Sequence, residues 1–317
     1  MLIWVLFIIL IGIFLALDLG VFNKGSHEIS YREATRWTIV WATLGLLFSF
    51  VILMIYTYRL GPGAYGKSAW VATMEYLTGY VIELTLSVDN IFVIALIFKS
   101  FRIPRKYQHR VLFWGILGAL IFRGLMIVFG VYLISNFSWT SYVFGAFLIL
   151  TALKMAFSDD EEKFEPKDSF VYRSIRKILP VSGQVYGESF FIRKKGIVIA
   201  TPLFLALVLI EFTDILFALD SIPAILGITQ DPFLVFTSNI FAILGLRSMY
   251  FFIANMLDSF HYLKHSLTVI LVYVGVKLVL ENHYHLGIGL SLSVIFLSLI
   301  AGVLFSVKHR KRHQTHN

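Results

Sequence analysis

The sequence contains no cysteine. That excludes disulfide frameworks, thiolate metal sites, iron–sulfur clusters and cysteine nucleophiles. Charge is scarce as well. Only 15% of the 317 residues are Asp, Glu, Lys or Arg, where a soluble domain carries about 25%. Acids are the scarcer sign, 19 against 27 bases, for a formal net charge of +8. Apolar sequence fills the chain instead, at 58% of residues and a mean hydropathy of +0.80. No soluble core hides that much apolar surface, so lipid is the solvent for much of the chain. The basic excess then reads as Lys and Arg retained on the cytoplasmic side of a membrane, not as nucleic-acid binding.

A membrane-spanning helix needs about 20 mostly apolar residues. Nine stretches are candidates: Leu2–Leu17, Trp37–Tyr58, Ala69–Phe98, Val111–Ile134, Tyr142–Phe157, Ile197–Leu219, Phe233–Met256, Ser266–Leu280 and Leu286–Val307. The first lacks a basic start and a small-x-small cleavage site, so it is expected to stay as a helix and not to leave as a signal peptide. The expected fold is all-α, a polytopic membrane protein of about nine transmembrane helices. An odd number puts the two ends on opposite sides. Sorting Lys and Arg into alternate loops gives twenty-one on one side. These are Lys24, Arg32 and Arg36, five from Lys99 to Arg110, eight from Lys163 to Lys195, Lys264, and four from Lys308 to Arg312. The other side holds Arg59 and Lys67. The asymmetry predicts a multi-pass membrane protein with its N-terminus outside and its C-terminus in the cytoplasm.

Nine further charges fall inside the expected spans or, for Asp220, at the edge of one: Glu83, Asp89, Glu211, Asp214, Asp220, Arg123, Lys154, Arg247 and Lys277. A charge at mid-bilayer costs roughly 2.5–3.5 kcal/mol on insertion scales. These groups must face inward, pair with one another, or meet water or an ion.

Their order repeats. Glu83-Leu-Thr-Leu-Ser-Val-Asp89-Asn-Ile matches Asp214-Ile-Leu-Phe-Ala-Leu-Asp220-Ser-Ile: acid, five residues, Asp, small polar, Ile. The next span after each carries an Arg, Arg123 or Arg247, and the span after that a Lys, Lys154 or Lys277. Three spans separate the two starts, and an odd number inverts the unit. The pattern predicts an inverted-topology repeat of three-helix units, with a site near the midplane, as in secondary transporters. The expected division is 1–68 for two N-terminal helices, 69–157 for the first repeat and 158–196 for a cytoplasmic connector. The second repeat then covers 197–281, and 282–317 holds the last helix and a basic tail.

On a helix, residues three, four or seven apart share a face. Glu83, Ser87 and Asn90 line one stripe, Asp89 shares a face with Thr85, and Glu211 and Asp214 sit one turn apart. Asp220 and Ser221 precede Pro223, which frees the carbonyl of Leu219 and is expected to end or break the helix there. The inventory is carboxylate, amide, hydroxyl and carbonyl oxygen. Such a set suits hard divalent ions, Mg²⁺, Ca²⁺ or Mn²⁺, better than Zn²⁺ or Cu⁺. Carboxylates held out of water also take protons, so exchange of protons for a metal ion is chemically natural. The competing reading is plain pairing, Glu83 or Asp89 with Arg123 or Arg247. Five acids against four bases leave one acid over. The bases Arg123, Lys154, Arg247 and Lys277 are expected to tune the site or lock one conformation.

Three stretches resemble the TerC family of membrane proteins: Leu17-Asp18-Leu19, Leu86-Ser-Val-Asp89-Asn90-Ile-Phe-Val-Ile, and Glu211-Phe-Thr-Asp214-Ile-Leu-Phe-Ala-Leu-Asp220-Ser221-Ile-Pro223-Ala. The last is the most specific, and the resemblance runs over nearly the whole chain. It implies manganese efflux and kinship with cation and amino-acid exporters built from inverted three-helix repeats. It carries Glu83, Asp89, Glu211, Asp214 and Asp220 over as ion-binding, with Asn90 and Ser221 beside them. No prosthetic group is implied; Mn²⁺ or another hard divalent cation is the transported ligand. Some members resemble proteins that supply metal to exported enzymes, so the alternative function is a membrane partner of the export or assembly machinery. The chain ends soon after its last helix, so a soluble C-terminal regulatory domain is not expected.

Weaker signals remain. Asp18 is placed to cap the first helix or pair with Arg32 or Arg36. His283 and His285 flank Tyr284 in a short loop that reads as a polar turn. His309, His313 and His316 lie in a basic tail suited to anionic lipid. The 158–196 segment runs from Asp159-Asp-Glu-Glu162 to Arg193-Lys-Lys195 and reads as a connector. No Ser–His or HExxH arrangement supports an intramembrane enzyme, and no catalytic residue is assigned.

Overall fold

A computed structural model describes residues 2–22, 29–60, 66–157, 166, 169–194, 196–254, 263–280, 283–284 and 286–314. The side chains of 18–22, 89, 263–264 and 307–314 lie outside that description. The readings on the Asp18 and Asp89 side chains, Asp159–Glu162, His285, His309, His313 and His316 therefore fall outside the described residues.

Apolar runs become helices because only a helix satisfies its own backbone polar groups in lipid. In chain order they are α1 (Leu2–Phe22), α2 (Tyr31–Thr57), α3 (Ala69–Ser100), α4 (Arg105–Asn136), α5 (Trp139–Phe157) and α6 (Phe170–Ile178). A hairpin follows, β1 (Phe191–Lys194) and β2 (Ile197–Ala200), antiparallel with Phe191 opposite Ala200. Then come α7 (Pro202–Leu226), α8 (Pro232–Leu244), α9 (Leu246–Ile253), α10 (Leu263–Leu280) and α11 (Ile288–Gln314). Starts are marked by small polar caps. Ser30, Ser68 and Asp231 accept from the backbone N–H of Glu33, Val71 and Phe233, and prolines open α7 and α8.

Among the described residues, α2, α3, α4, α5, α7 and α11 are long and apolar enough to cross a bilayer. The pair α8 and α9, bent by 44° at Gly245, makes a seventh crossing if it is one span. Leu2–Leu17 of α1 and His265–Leu280 of α10 are shorter apolar helices. Helices therefore stand at all nine expected positions, while length and composition support six or seven crossings.

Two expectations are corrected. Ile197 does not begin a helix: Ile197–Ala200 is strand β2. Three β-branched residues favour a strand, and Pro202 holds Thr201 extended, with ψ 167. Nor does Pro223 break its helix. It sits inside α7, its carbonyl accepts from the Gly227 N–H at 2.9 Å, and the helix runs on to Leu226. The missing donor is tolerated because Ser221 through Leu226 are all buried by neighbouring helices. The connector is also more ordered than a plain link. It carries α6 and the hairpin, and Glu188 is 2.9 Å from Arg110 of α4.

Packing crosses between the two halves of the chain. Helix α3 packs against α7 and α8, α4 against α7 and α8, and α5 along α10. The α5–α10 contact is close because side chains are missing from it. A Cβ on Gly145 would lie 2.6 Å from the Gly275 carbonyl, and one on Gly275 would lie 2.9 Å from the Gly145 carbonyl. A second core is aromatic, with Phe7, Trp41, Phe48, Tyr76, Tyr80 and Phe241 joining α1, α2, α3 and α8. The outward faces stay apolar, as at Leu125, Val128, Leu150 and Leu297, which suits lipid contact.

Candidate ion site between α3, α4 and α7

Helix α3 contributes Glu83, Ser87 and Asn90, all buried. Helix α4 contributes Arg123, which is fully buried. The planar guanidinium of Arg123 forks across the interface. Its Nε and Nη2 donate to the two carboxylate oxygens of Asp214 on α7, at 3.1 and 2.7 Å. Its Nη1 donates to Glu83 Oε1. This bidentate geometry on one carboxylate is available to Arg and not to Lys. The other Glu83 oxygen accepts from Asn239 Nδ2 of α8 at 2.9 Å. Asn90 Nδ2 approaches Asp214 Oδ1 at 3.5 Å. Two carboxylates thus share one cation, and one negative charge is left over.

Oxygen atoms remain over too. Ser87 Oγ, Asn90 Oδ1, Asn239 Oδ1, Ser221 Oγ, Glu211 Oε2 and Asp220 Oδ1 are buried with no hydrogen-bond partner. Burying a polar atom without a partner costs about 1–3 kcal/mol. Beside Asn90 and Asp214 lies a cavity of about 20 Å³, walled by Gly115, Ala119, Thr213 and Phe217. That is room for one water-sized particle. The orphaned atoms are all hard oxygen donors, so they fit a divalent cation of the Mg²⁺, Ca²⁺ or Mn²⁺ type.

The expected site residues do not all meet. Glu83, Asn90 and Asp214 come together around Arg123. Glu211 lies against α4, where its carboxylate fills the space a Cβ on Gly118 would take. Asp220 faces the Thr151 hydroxyl of α5. Six residues on from Asp214, it is turned about 120° around α7. Among the described residues no three of His, Asp and Glu gather closely enough to hold a metal ion. Of the four bases, Arg123 makes the ion pairs described. Arg247 is buried on α9 just past the Gly245 bend, and Lys277 is buried and reaches Ser291 Oγ at 3.3 Å. Lys154 is exposed in the last turn of α5.

Asn239, Gly118 and Thr151 escaped the sequence reading. Counting charges passes over neutral residues, and an Asn inside an apolar run was the available signal. Glu75 was passed over as well. It sits one helical stretch from Glu83 on α3, in a network where α2 ends and α3 begins. Lys67 Nζ lies 2.5 Å from Glu75 Oε2 and 2.9 Å from Thr229 Oγ1. Thr229 donates to Glu75 at 2.6 Å, and the Tyr56 hydroxyl donates to Asp231.

Comparison with known proteins agrees with this picture of a membrane helix bundle. The family model described as integral membrane protein TerC family matches residues 68–314. An uncharacterized membrane protein of Myxococcus xanthus is 45% identical over 304 residues, covering 96% of this chain and 91% of its own. Alx of Escherichia coli K12, whose name describes a candidate membrane-bound redox modulator, is 42% identical over 313 residues, 98% of this chain and 96% of its own. An uncharacterized membrane protein of Rickettsia bellii is 40% identical over 304 residues, 96% of each chain. No solved structure matches the chain.

Proposed function

The chain belongs to the TerC family of integral membrane proteins, and from that premise we propose that it is a secondary transporter exporting a divalent cation, Mn²⁺ first, in exchange for protons. The observation that carries the proposal is the Arg123 bridge between Glu83 of α3 and Asp214 of α7, joined by Asn90 and Asn239, whose amide oxygens are buried without partners. The bridge joins two helices from different halves of the chain. An incoming cation competes with the guanidinium for the same carboxylates. When Arg123 lets go, Glu83, Asp214 and the amide oxygens of Asn90 and Asn239 are free to turn to the ion. Protons reaching the carboxylates from the other side return them to the unloaded state. The guanidinium is then a resident stand-in for cargo.

The packing supports an inverted repeat of α3–α4–α5 and α7 to α10. First helix meets first (α3 with α7), second meets first across the halves (α4 with α7, α8 with α3), and third meets third (α5 with α10). That exchange of partners is what a two-fold relation between the units requires. The basic asymmetry of the loops supports nine crossings, N-terminus out and C-terminus in, and an all-helical bundle of this kind suits a bacterial inner membrane. The redox role in the name of Alx has no thiol to work through here, since the chain has no cysteine.

The test is flux into proteoliposomes with Mn²⁺, Ca²⁺, Mg²⁺ and Zn²⁺ in turn, for the wild type, Asp214→Asn and Asp220→Asn. Mn²⁺ flux in the wild type that is abolished in Asp214→Asn supports the site. Equal flux in both defeats it. Absence of flux for every ion moves the function to a metallation partner of exported proteins, where loops and not buried acids control the outcome.

A further inference from the structure

Where α3 hands over to α4, far along the bundle from the Lys67 network, a cavity of about 360 Å³ opens at the chain's more basic end. Its floor holds buried Phe98, Ile103 and Phe251. The polar groups of the floor are already engaged. The Tyr250 hydroxyl donates to Gln108 Oε1 at 3.0 Å, and Gln108 Nε2 donates to the Ile103 carbonyl at 3.0 Å. The lining also carries three exposed cations, Lys99, Arg102 and Arg105. Among the described residues none of the three is in an ion pair. Three cations lining a partly enclosed pocket with an apolar floor, with no carboxylate paired to them among the described residues, call for an anion with an apolar neighbour. The volume falls in the range of small-molecule sites.

We propose that this cavity binds the phosphate headgroup of an anionic phospholipid. Lys99, Arg102 and Arg105 hold the phosphate, and the apolar floor takes the glycerol and first acyl carbons. The shared chemistry is phosphate; lipid is favoured over a soluble phosphate by what lies beside the pocket. Leu96, one turn before Lys99 on the same stripe of α3, is 42% exposed. The stripe passes from an exposed apolar side chain to an exposed cation one turn on, the order that an interfacial site needs.

The backbone supplies a clean probe. Arg102 has φ 51, a left-handed conformation that glycine adopts at no cost. Arg102→Gly removes the guanidinium and relaxes the chain, so folding does not suffer. Arg59, at the end of α2, has φ 53 and lines no part of this cavity, so Arg59→Gly is the matched control. The experiment measures binding of phosphatidylglycerol to the purified full chain in detergent by native mass spectrometry. Phosphatidylethanolamine serves as the zwitterionic control and inorganic phosphate as a competitor. Each basic residue near a headgroup contributes roughly fivefold in affinity. Arg102→Gly is expected to weaken phosphatidylglycerol binding by about fivefold, and Lys99→Ala with Arg102→Gly and Arg105→Ala by on the order of 100-fold. Arg59→Gly and the wild type should bind alike. Unchanged affinity in the triple variant overturns the site. An equal loss in Arg59→Gly overturns its specificity. Displacement of the lipid by millimolar inorganic phosphate overturns the lipid as the source.

Discussion

Replacing Arg123 by Gln leaves Glu83 and Asp214 facing each other with no counter-charge. The side chains of the three residues are 1%, 0% and 13% exposed, so water screens little of the resulting repulsion. Removing one partner from a buried ion pair costs about 3–5 kcal/mol. At about 2 °C per kcal/mol for a large chain, thermal unfolding in detergent should fall by about 6–10 °C. The triple variant Arg123→Gln, Glu83→Gln, Asp214→Asn removes the stranded charges together and should recover most of that loss, because a neutral set of similar volume is often as stable as the pair it replaces. MnCl₂ supplies the second arm. With the guanidinium gone, the ion has no competitor, so a hundredfold excess over its Kd for Arg123→Gln should stabilise that variant by about 2.7 kcal/mol over its metal-free form, and the same concentration should stabilise the wild type less. A triple variant as unstable as the single one would refute the charge argument. Greater Mn²⁺ stabilisation of the wild type than of Arg123→Gln would refute the competition between arginine and ion.

Gly118→Ala is expected to fold with a loss at the low end of about 1–3 kcal/mol, because its methyl meets the far end of the flexible Glu211 side chain and no backbone atom; proteoliposome flux should nonetheless fall as that carboxylate is pushed aside. Gly145→Ala is the opposite case. Its methyl meets the Gly275 carbonyl, which cannot move without its helix, so unfolding should show a loss of about 1–3 kcal/mol. Tyr56→Phe deletes the donor to Asp231 and should cost about 1.5–3 kcal/mol, while calorimetry of Tyr56→Phe with Asp231→Asn should show less than the sum of the two single losses.

Positions were legible in the sequence where one physical rule dominates. Lipid admits only self-satisfied backbones, so apolar runs marked every apolar helix's position, with ends up to seven residues off. The rule fails where tertiary contacts decide. The bend at Gly245 comes inside one continuous apolar run, and nothing in hydropathy separates α8 from α9. Pro223 would break an isolated helix, yet burial around α7 carries the chain past it. Ile197–Ala200 is as apolar as a span and is held as a strand by its β-branched residues and by Pro202. In the candidate site, the acidic positions and Arg123 were visible as charges in the wrong solvent. Their grouping was not: the helical angle separates Asp220 from Asp214, and partners such as Asn239 and Thr151 carry no charge to be counted. Glu75 was visible as an acid inside the Ala69–Phe98 span, but it falls in the first two turns and outside the repeated acid pattern, so it was not counted.

The contact between Gly145 and Gly275 constrains more than local stability. Each residue presents its carbonyl to the place where the other lacks a side chain, so the two positions behave as one locus. A change at either is felt by both helices, and no single substitution can be offset by trimming the other, since glycine has nothing left to trim. Each half of the chain also carries a strip of main chain bared for a neighbour. Expressed alone, a half would offer that strip to lipid and would need a second copy of itself to cover it. The two halves are thus joined by what neither possesses, and the connector between them keeps the fit from depending on chance encounter.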